Sequence, residues 1–128
     1  MIVGIDFDGT VVTHEYPKVG KEIGAEKVLK RLISNGHDLV LNTMRSRDEL
    51  EAAKKWFKNR EIKLVGYNES PGQKSWTSSS KTYAQIYIDD AALGCPLKTD
   101  SELSNRPFVD WIEVEKWLEE KGILKNGD

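Results

Sequence analysis

The pentapeptide Asp6-Phe7-Asp8-Gly9-Thr10 sets two carboxylates two residues apart, directly after the apolar run Ile2-Val3-Gly4-Ile5. A second acidic pair, Asp89-Asp90, closes the run Ile86-Tyr87-Ile88, and the hydroxyl of Thr43 closes Leu39-Val40-Leu41-Asn42. One strand ending in Asp is ordinary turn chemistry. Three that end in carboxylates or a hydroxyl converge on one crevice if their strands lie in one parallel sheet. Four carboxylates so gathered repel one another unless a cation neutralises them. All-oxygen ligands favour a hard ion, and Mg²⁺ is commonly held by one or two carboxylates together with waters and a substrate phosphate. A phosphate brought to that ion faces Asp6 or Asp8. A carboxylate is a competent nucleophile for forming an aspartyl-phosphate, and its neighbour two residues away can serve as general acid and then as base. The attack also needs positive charge and aligned donors on the phosphoryl oxygens. Lys81, Lys74, Thr43, Arg45 and Arg47 are the candidates.

The elements that must position these groups follow from the apolar period. Residues 1–6 form a short continuous apolar strand of the kind buried on both faces of a parallel sheet. Ile23, Ala25, Val28, Leu29, Leu32 and Ile33 recur at helical spacing over residues 22–35, and Asn35-Gly36 supplies the stop. Residues 38–43 are a second buried strand. Residues 47–59 are helical, with Leu50, Ala53, Trp56 and Phe57 on the inner stripe and Asp48, Glu49 and Glu51 in the first turn. Residues 62–67 are a third strand and residues 84–90 a fourth, with a short fifth at 108–110. Trp111, Val114, Trp117 and Leu118 mark a last helix at 111–121. Between them, residues 68–80 have loop composition without a period, which at this length indicates a functional or disordered segment. The tail, 125–128, is expected to fray. Strands alternating with helices give an α/β fold, a doubly wound three-layer Rossmann-like parallel sheet.

On these motifs the chain resembles the haloacid dehalogenase-like (HAD) hydrolase superfamily. Asp6-Phe7-Asp8-Gly9-Thr10 resembles its first motif, DxDGT, in the form with a second Asp typical of phosphotransferase members. Thr43 resembles the second motif, a strand-terminal Ser or Thr. Lys81, eight residues before Asp89, fits the lysine of the third. Asp89-Asp90 with Gly94 resembles the acidic pair of the fourth. The resemblance covers residues 1 to 95 in the expected order. It implies that Asp6 is the nucleophile and a metal ligand, and that Asp8 is the general acid/base with its main-chain carbonyl also on the metal. It implies further that Thr43 bonds the phosphoryl oxygen, that Lys81 offsets charge on the aspartyl-phosphate, and that the metal site includes both Asp89 and Asp90, with Asp90 in direct contact with Mg²⁺ and Asp89 behind it or bridging to Lys81. Gly9, Thr10 and Arg45 are placed at the substrate. Many relatives carry a cap domain; here residues 11–21 leave room only for a flap. His14 and Tyr16 on that flap, and Trp76 in the 68–80 loop, lie in the segments that can cover the site.

Length and composition bound the rest. A chain of 128 residues is expected to form a single domain, 1–128. A formal net charge of −2 provides no general basic footprint for nucleic acid, though a nucleotide-sized ligand remains compatible. Cys95 is the one cysteine, so no intrachain disulfide is possible, and beside Gly94 and Pro96 it reads as a small residue at a turn. Met1 leads straight into a strand without a signal-peptide pattern, and no apolar run approaches the roughly 20 residues of a membrane helix. A cytoplasmic protein without membrane contact is the expectation. The expected partner is a phosphorylated small molecule, a nucleotide or the terminal phosphate of a polynucleotide. With no cap, either a macromolecular substrate or a neighbouring subunit of a homo-oligomer would close the site. The expected activity is a Mg²⁺-dependent phosphomonoester hydrolase. Its rivals are a metal- or phosphate-binding regulatory domain and a phosphotransferase to an acceptor other than water.

Overall fold

The continuous apolar strand at the start of the chain becomes the centre of a parallel sheet. In the computed structural model, which describes residues 1–125, β1 (Ile2–Ile5) pairs with β2 (Asp38–Leu41) on one side and β4 (Ile86–Ile88) on the other. β3 (Gly66–Tyr67) extends the sheet beyond β2, giving the order β3-β2-β1-β4, all parallel. The register sets Val3 beside Leu39 and Ile86, and Ile5 beside Leu41 and Ile88. Residues paired across a sheet project from the same face, so these side chains form one apolar layer.

That layer meets the helices. α1 (Ala25–Ser34) buries Ala25, Val28, Leu29 and Leu32, at the i, i+3, i+4, i+7 spacing of one helical face. α2 (Arg47–Asn59) contributes Ala53, Trp56 and Phe57, and α3 (Trp111–Glu120) contributes Trp111, Val114 and Leu118. All of them join Val3, Ile5, Leu39, Leu41 and Ile88 in a single buried cluster. Phe7 lies within it, edge-on to Trp56 at 6.2 Å and tilted against Phe57 at 5.9 Å. Each such aromatic pair contributes roughly 1 kcal/mol beyond its burial. Because Phe7 is drawn wholly into this core, the chain between the two acids is anchored, and Asp6 and Asp8 are left outside it.

The opposite face carries Gly4, Val40 and Tyr87, aligned by the same register. The Tyr87 ring lies over Gly4 so closely that a Cβ there would stand 3.0 Å from it, and the Tyr87 hydroxyl donates to the Thr82 carbonyl. Here the structure differs from a sheet covered by long helices on both sides. Residues 68–85 hold only a 3₁₀ turn, Gln73–Ser75, because they lack the apolar period an amphipathic helix needs. Gln73 organises them instead. Its buried amide oxygen accepts from Ser70 N–H and Tyr83 N–H at 3.0 and 2.9 Å, and its nitrogen donates to the Lys81 carbonyl at 2.7 Å.

Several boundaries move for identifiable reasons. α1 starts at Ala25 rather than residue 22, since Glu22 is bridged antiparallel to Val12 in the flap. The third strand shortens to two residues: Ile62 turns into the core, and its N–H caps α2 at the Phe57 carbonyl. The short fifth strand, Phe108–Val109 (β6), has an unforeseen antiparallel partner, Leu97–Lys98 (β5). Asp110 caps α3, its carboxylate accepting from Glu113 N–H. The expected frayed tail at 125–128 lies outside the described residues except for Lys125. That residue is held, with its carbonyl on Arg31 Nη2 and its N–H on Asn35 Oδ1. Among the described residues, no helix is long and apolar enough to cross a membrane.

Candidate active site

The last ladder bonds of the sheet fix where the chemistry-bearing residues stand. Asp6 N–H donates to the Ile88 carbonyl at 3.0 Å and Asn42 N–H to the Ile5 carbonyl at 2.8 Å, so the ends of β1, β2 and β4 are level. Carboxylate oxygens of Asp6, Asp89 and Asp90 then lie within 4.8 Å of one another. Three hard oxygen donors at that separation suit a divalent cation of the Mg²⁺ type. Burial pushes the Asp6 carboxyl up from 3.8 to about 8, the Thr10 hydroxyl opposing it and the Asp89 charge and the Asp90 hydrogen bond adding to it. A carboxylate at that position therefore needs positive charge nearby to stay ionised.

Thr10 and Gly9 build the site from beneath. The buried Thr10 hydroxyl donates to Asp6 Oδ2 at 2.8 Å and accepts from Asp90 N–H at 2.9 Å, tying the end of β1 to the end of β4. Its carbonyl is held in turn by Trp111 Nε1 at 2.7 Å. Gly9 has φ +79°, and a Cβ there would collide with Asp90, standing 2.9 Å from its Cγ. Only glycine lets the second acidic pair come this close to the first. Both residues were placed at the substrate by the sequence motif; in the structure they position the acids.

Asp8 diverges from the cluster. Its side chain receives a two-pronged bond from Arg45, Nε to Oδ2 at 2.8 Å and Nη2 to Oδ1 at 2.7 Å. Among the described residues its carboxylate is not within the three-acid group. Its main chain forms a parallel bridge with Val12, made by Gly9 N–H on the Val12 carbonyl and Val12 N–H on the Phe7 carbonyl; among the described residues no hydrogen bond is made to the Asp8 carbonyl. Arg45, expected at the substrate, is instead 2% exposed.

Thr43 is set by a residue that composition did not single out. Asn68, at φ +57°, points its Oδ1 at Thr43 N–H, 2.8 Å away. The left-handed region is one that Asn tolerates better than most residues. The Thr43 oxygen accepts from Arg45 N–H at 3.1 Å, which leaves its proton free to donate. Lys81 rests its ammonium 5.7 Å from the Tyr87 ring centre, and no ion pair joins it to the acids among the described residues. Lys74 leans on Glu69 at 3.6 Å and is well exposed. Arg47 opens α2 at φ +50° and is exposed.

The flap is a hairpin-like loop. Thr13 N–H bonds the Lys21 carbonyl at 2.9 Å and Lys21 N–H bonds the Thr13 hydroxyl at 2.8 Å, with residues 15–19 exposed at its tip. His14 stands 3.3 Å from Arg106 Nη1, and Tyr16 covers Arg45 at 5.2 Å. Trp76 packs edge-on with Tyr83 at 5.4 Å and stays largely exposed. Met44 and Leu93, next to the ends of β2 and β4, are 99% and 106% exposed, an apolar rim that sequence pattern alone did not reveal.

Among solved structures, a conserved protein from Bacteroides thetaiotaomicron superposes with a TM-score of 0.77 at 31% identity, covering 94% of this chain and 91% of that one. The chain belongs to that protein's family. The likeness runs over nearly the whole length of both chains. No family model and no curated protein matches the sequence.

Proposed function

We propose that the chain is a Mg²⁺-dependent phosphomonoester hydrolase of the HAD type, in a capless Rossmann-like domain, working through an aspartyl-phosphate at Asp6. The observation that carries this reading is the meeting of Asp6, Asp89 and Asp90 within 4.8 Å at the carboxyl edge of a parallel sheet, cross-linked by Thr10. Asp6, Asp89 and Asp90 would hold the ion, with the Asp8 carbonyl completing the protein's share. When bound, the ion supplies charge neutralisation for the incoming phosphate. Asp6 attacks phosphorus, Asp8 protonates the leaving oxygen and then takes a proton from the hydrolytic water, and Thr43 donates to a phosphoryl oxygen. Lys81 is the cation assigned to the aspartyl-phosphate.

The exposed rim at Met44 and Leu93 favours a wide entry, suited to a terminal phosphate on a larger molecule or to closure by a second subunit. A cytoplasmic location accords with this substrate class. Phosphate release from a panel of phosphomonoesters, with Mg²⁺ and with chelator, tests the reading. Mg²⁺-dependent turnover abolished by Asp6→Asn is expected, and full activity in Asp6→Asn refutes the mechanism. Metal binding without turnover of any ester would leave a regulatory domain, and release only in the presence of an alcohol acceptor a phosphotransferase.

A further inference from the structure

Arg45 has five N–H donors, and all five are engaged. Two go to the Asp8 carboxylate at 2.8 and 2.7 Å. Two go to the flap, to the Lys18 carbonyl at 2.7 Å and the Pro17 carbonyl at 3.4 Å. The fifth goes to the Glu49 carbonyl in α2 at 3.1 Å. The guanidinium lies between the rings of Phe7 and Tyr16, 5.0 and 5.2 Å from their centres. A planar fork used in this way fixes the orientation of its partners and has no donor left for a phosphate.

We propose that Arg45 is a positioning residue that couples the flap to the acid/base Asp8, so that Asp8 is oriented only while the flap tip is seated. This deepens the phosphatase reading and rests on it. A carboxyl offers about four lone-pair sites; Arg45 occupies one on each oxygen, and the others remain for the substrate proton. In the first half-reaction the Asp6–phosphorus bond forms as the ester P–O bond breaks, and the leaving oxygen keeps the bonding pair and takes a proton from Asp8. In the second, water attacks phosphorus and gives a proton to Asp8 while the Asp6–phosphorus bond breaks, returning the Asp6 carboxylate and free phosphate. Protonation matters greatly for an alkoxide leaving group and little for nitrophenolate. A group that orients Asp8 must therefore reveal itself in leaving-group dependence, whereas a phosphate ligand affects every ester alike.

The experiment compares Arg45→Gln, Arg45→Lys and Asp8→Asn on glycerol phosphate and on p-nitrophenyl phosphate with Mg²⁺. Arg45→Gln is expected to lower kcat on the alkyl ester by about 10²-fold and on the nitrophenyl ester less than about 5-fold, with KM unchanged. Arg45→Lys, lacking the fork, is expected to recover little, and Arg45→Gln combined with Asp8→Asn to be no worse than Asp8→Asn alone. Equal losses on both esters carried in KM overturn the proposal and make Arg45 a phosphate ligand. Amide hydrogen exchange supplies a readout independent of turnover. Asp8→Asn leaves the flap sequence untouched, yet by unhooking Arg45 it should speed exchange at Lys18 N–H, now bonded to the Glu15 carbonyl, by about 10-fold. Unchanged exchange there overturns the coupling. A wild-type protein inactive on both esters removes the phosphatase reading, and the exchange result then decides the coupling alone.

Discussion

Replacing Asp6 by Asn should stabilise the metal-free protein while removing its activity. Asn keeps the shape and can still bond Thr10, but it carries no charge into a half-buried site beside Asp89 and Asp90. In the native fold the Asp6 carboxyl is pushed from 3.8 up to about 8, chiefly by burial. The folded state therefore retains a proton that the unfolded chain releases. The resulting contribution is fully present below the unfolded value, declines as pH rises from there to about 8, and is flat above. At about pH 7 the gap amounts to roughly 3 units, a ceiling of about 4 kcal/mol at 1.36 kcal/mol per unit. Partial exposure of the site and screening by solvent reduce this to about 2 kcal/mol. For a domain of this size that corresponds to a rise in Tm of about 8 °C. The assay is thermal unfolding in chelator from about pH 4 to about pH 9, repeated with Mg²⁺. The advantage of Asp6→Asn should grow up to about pH 8, level off above it, and shrink when Mg²⁺ is added, since the ion stabilises the wild type by binding its folded state. An Asn variant no more stable than wild type near neutrality, or an advantage that does not change with pH, would refute the reasoning.

Three other substitutions probe the supports of the site and the fold. Gly9→Ala combines φ +79° with a collision at Asp90; half-maximal activity should then need about 10-fold more Mg²⁺, read from titration of turnover. Trp111→Phe removes the donor to the Thr10 carbonyl while keeping the aromatic packing, so stability should fall by about 1 kcal/mol in urea denaturation. Arg31→Met breaks a clasp in which one guanidinium holds Glu115 at 2.8 Å, Glu119 at 3.1 Å and the Lys125 carbonyl at 2.8 Å. The loss is expected to be on the order of 2 kcal/mol by the same method, without change in KM.

The parallel sheet was legible because Ile2–Ile5, Asp38–Leu41 and Ile86–Ile88 are short apolar runs with polar ends, a local pattern. The same ends identified Asp6, Thr43 and the Asp89-Asp90 pair, because a strand terminus fixes its next residue by the last ladder bond. Partnerships across long sequence distance were not legible. Nothing local distinguishes Arg45 as the mate of Asp8 from Arg45 as a free cation, and the decision lies in the carbonyls of Pro17 and Lys18 that fold over it. Asn68 and Trp111 were hidden for the same reason, each serving through one bond to a residue far away in the chain. Thr10 belonged visibly to the motif, but its bond to Asp90 N–H required the two strands to be side by side.

The lopsided covering of the sheet has a consequence for how the protein ages with heat. Ser70, Tyr83 and the Lys81 carbonyl all depend on one side chain, Gln73. A segment whose internal bonds converge on one side chain opens as a cooperative unit rather than fraying from its ends. The helical side, with its continuous core, has no such dependence. On warming, the segment bearing Lys81 should therefore let go as a unit while the helices stay folded, and catalysis should be lost several degrees below the point where helical circular dichroism disappears. Thermal inactivation would then be a local event, reversible on cooling, in a molecule that is still mostly intact.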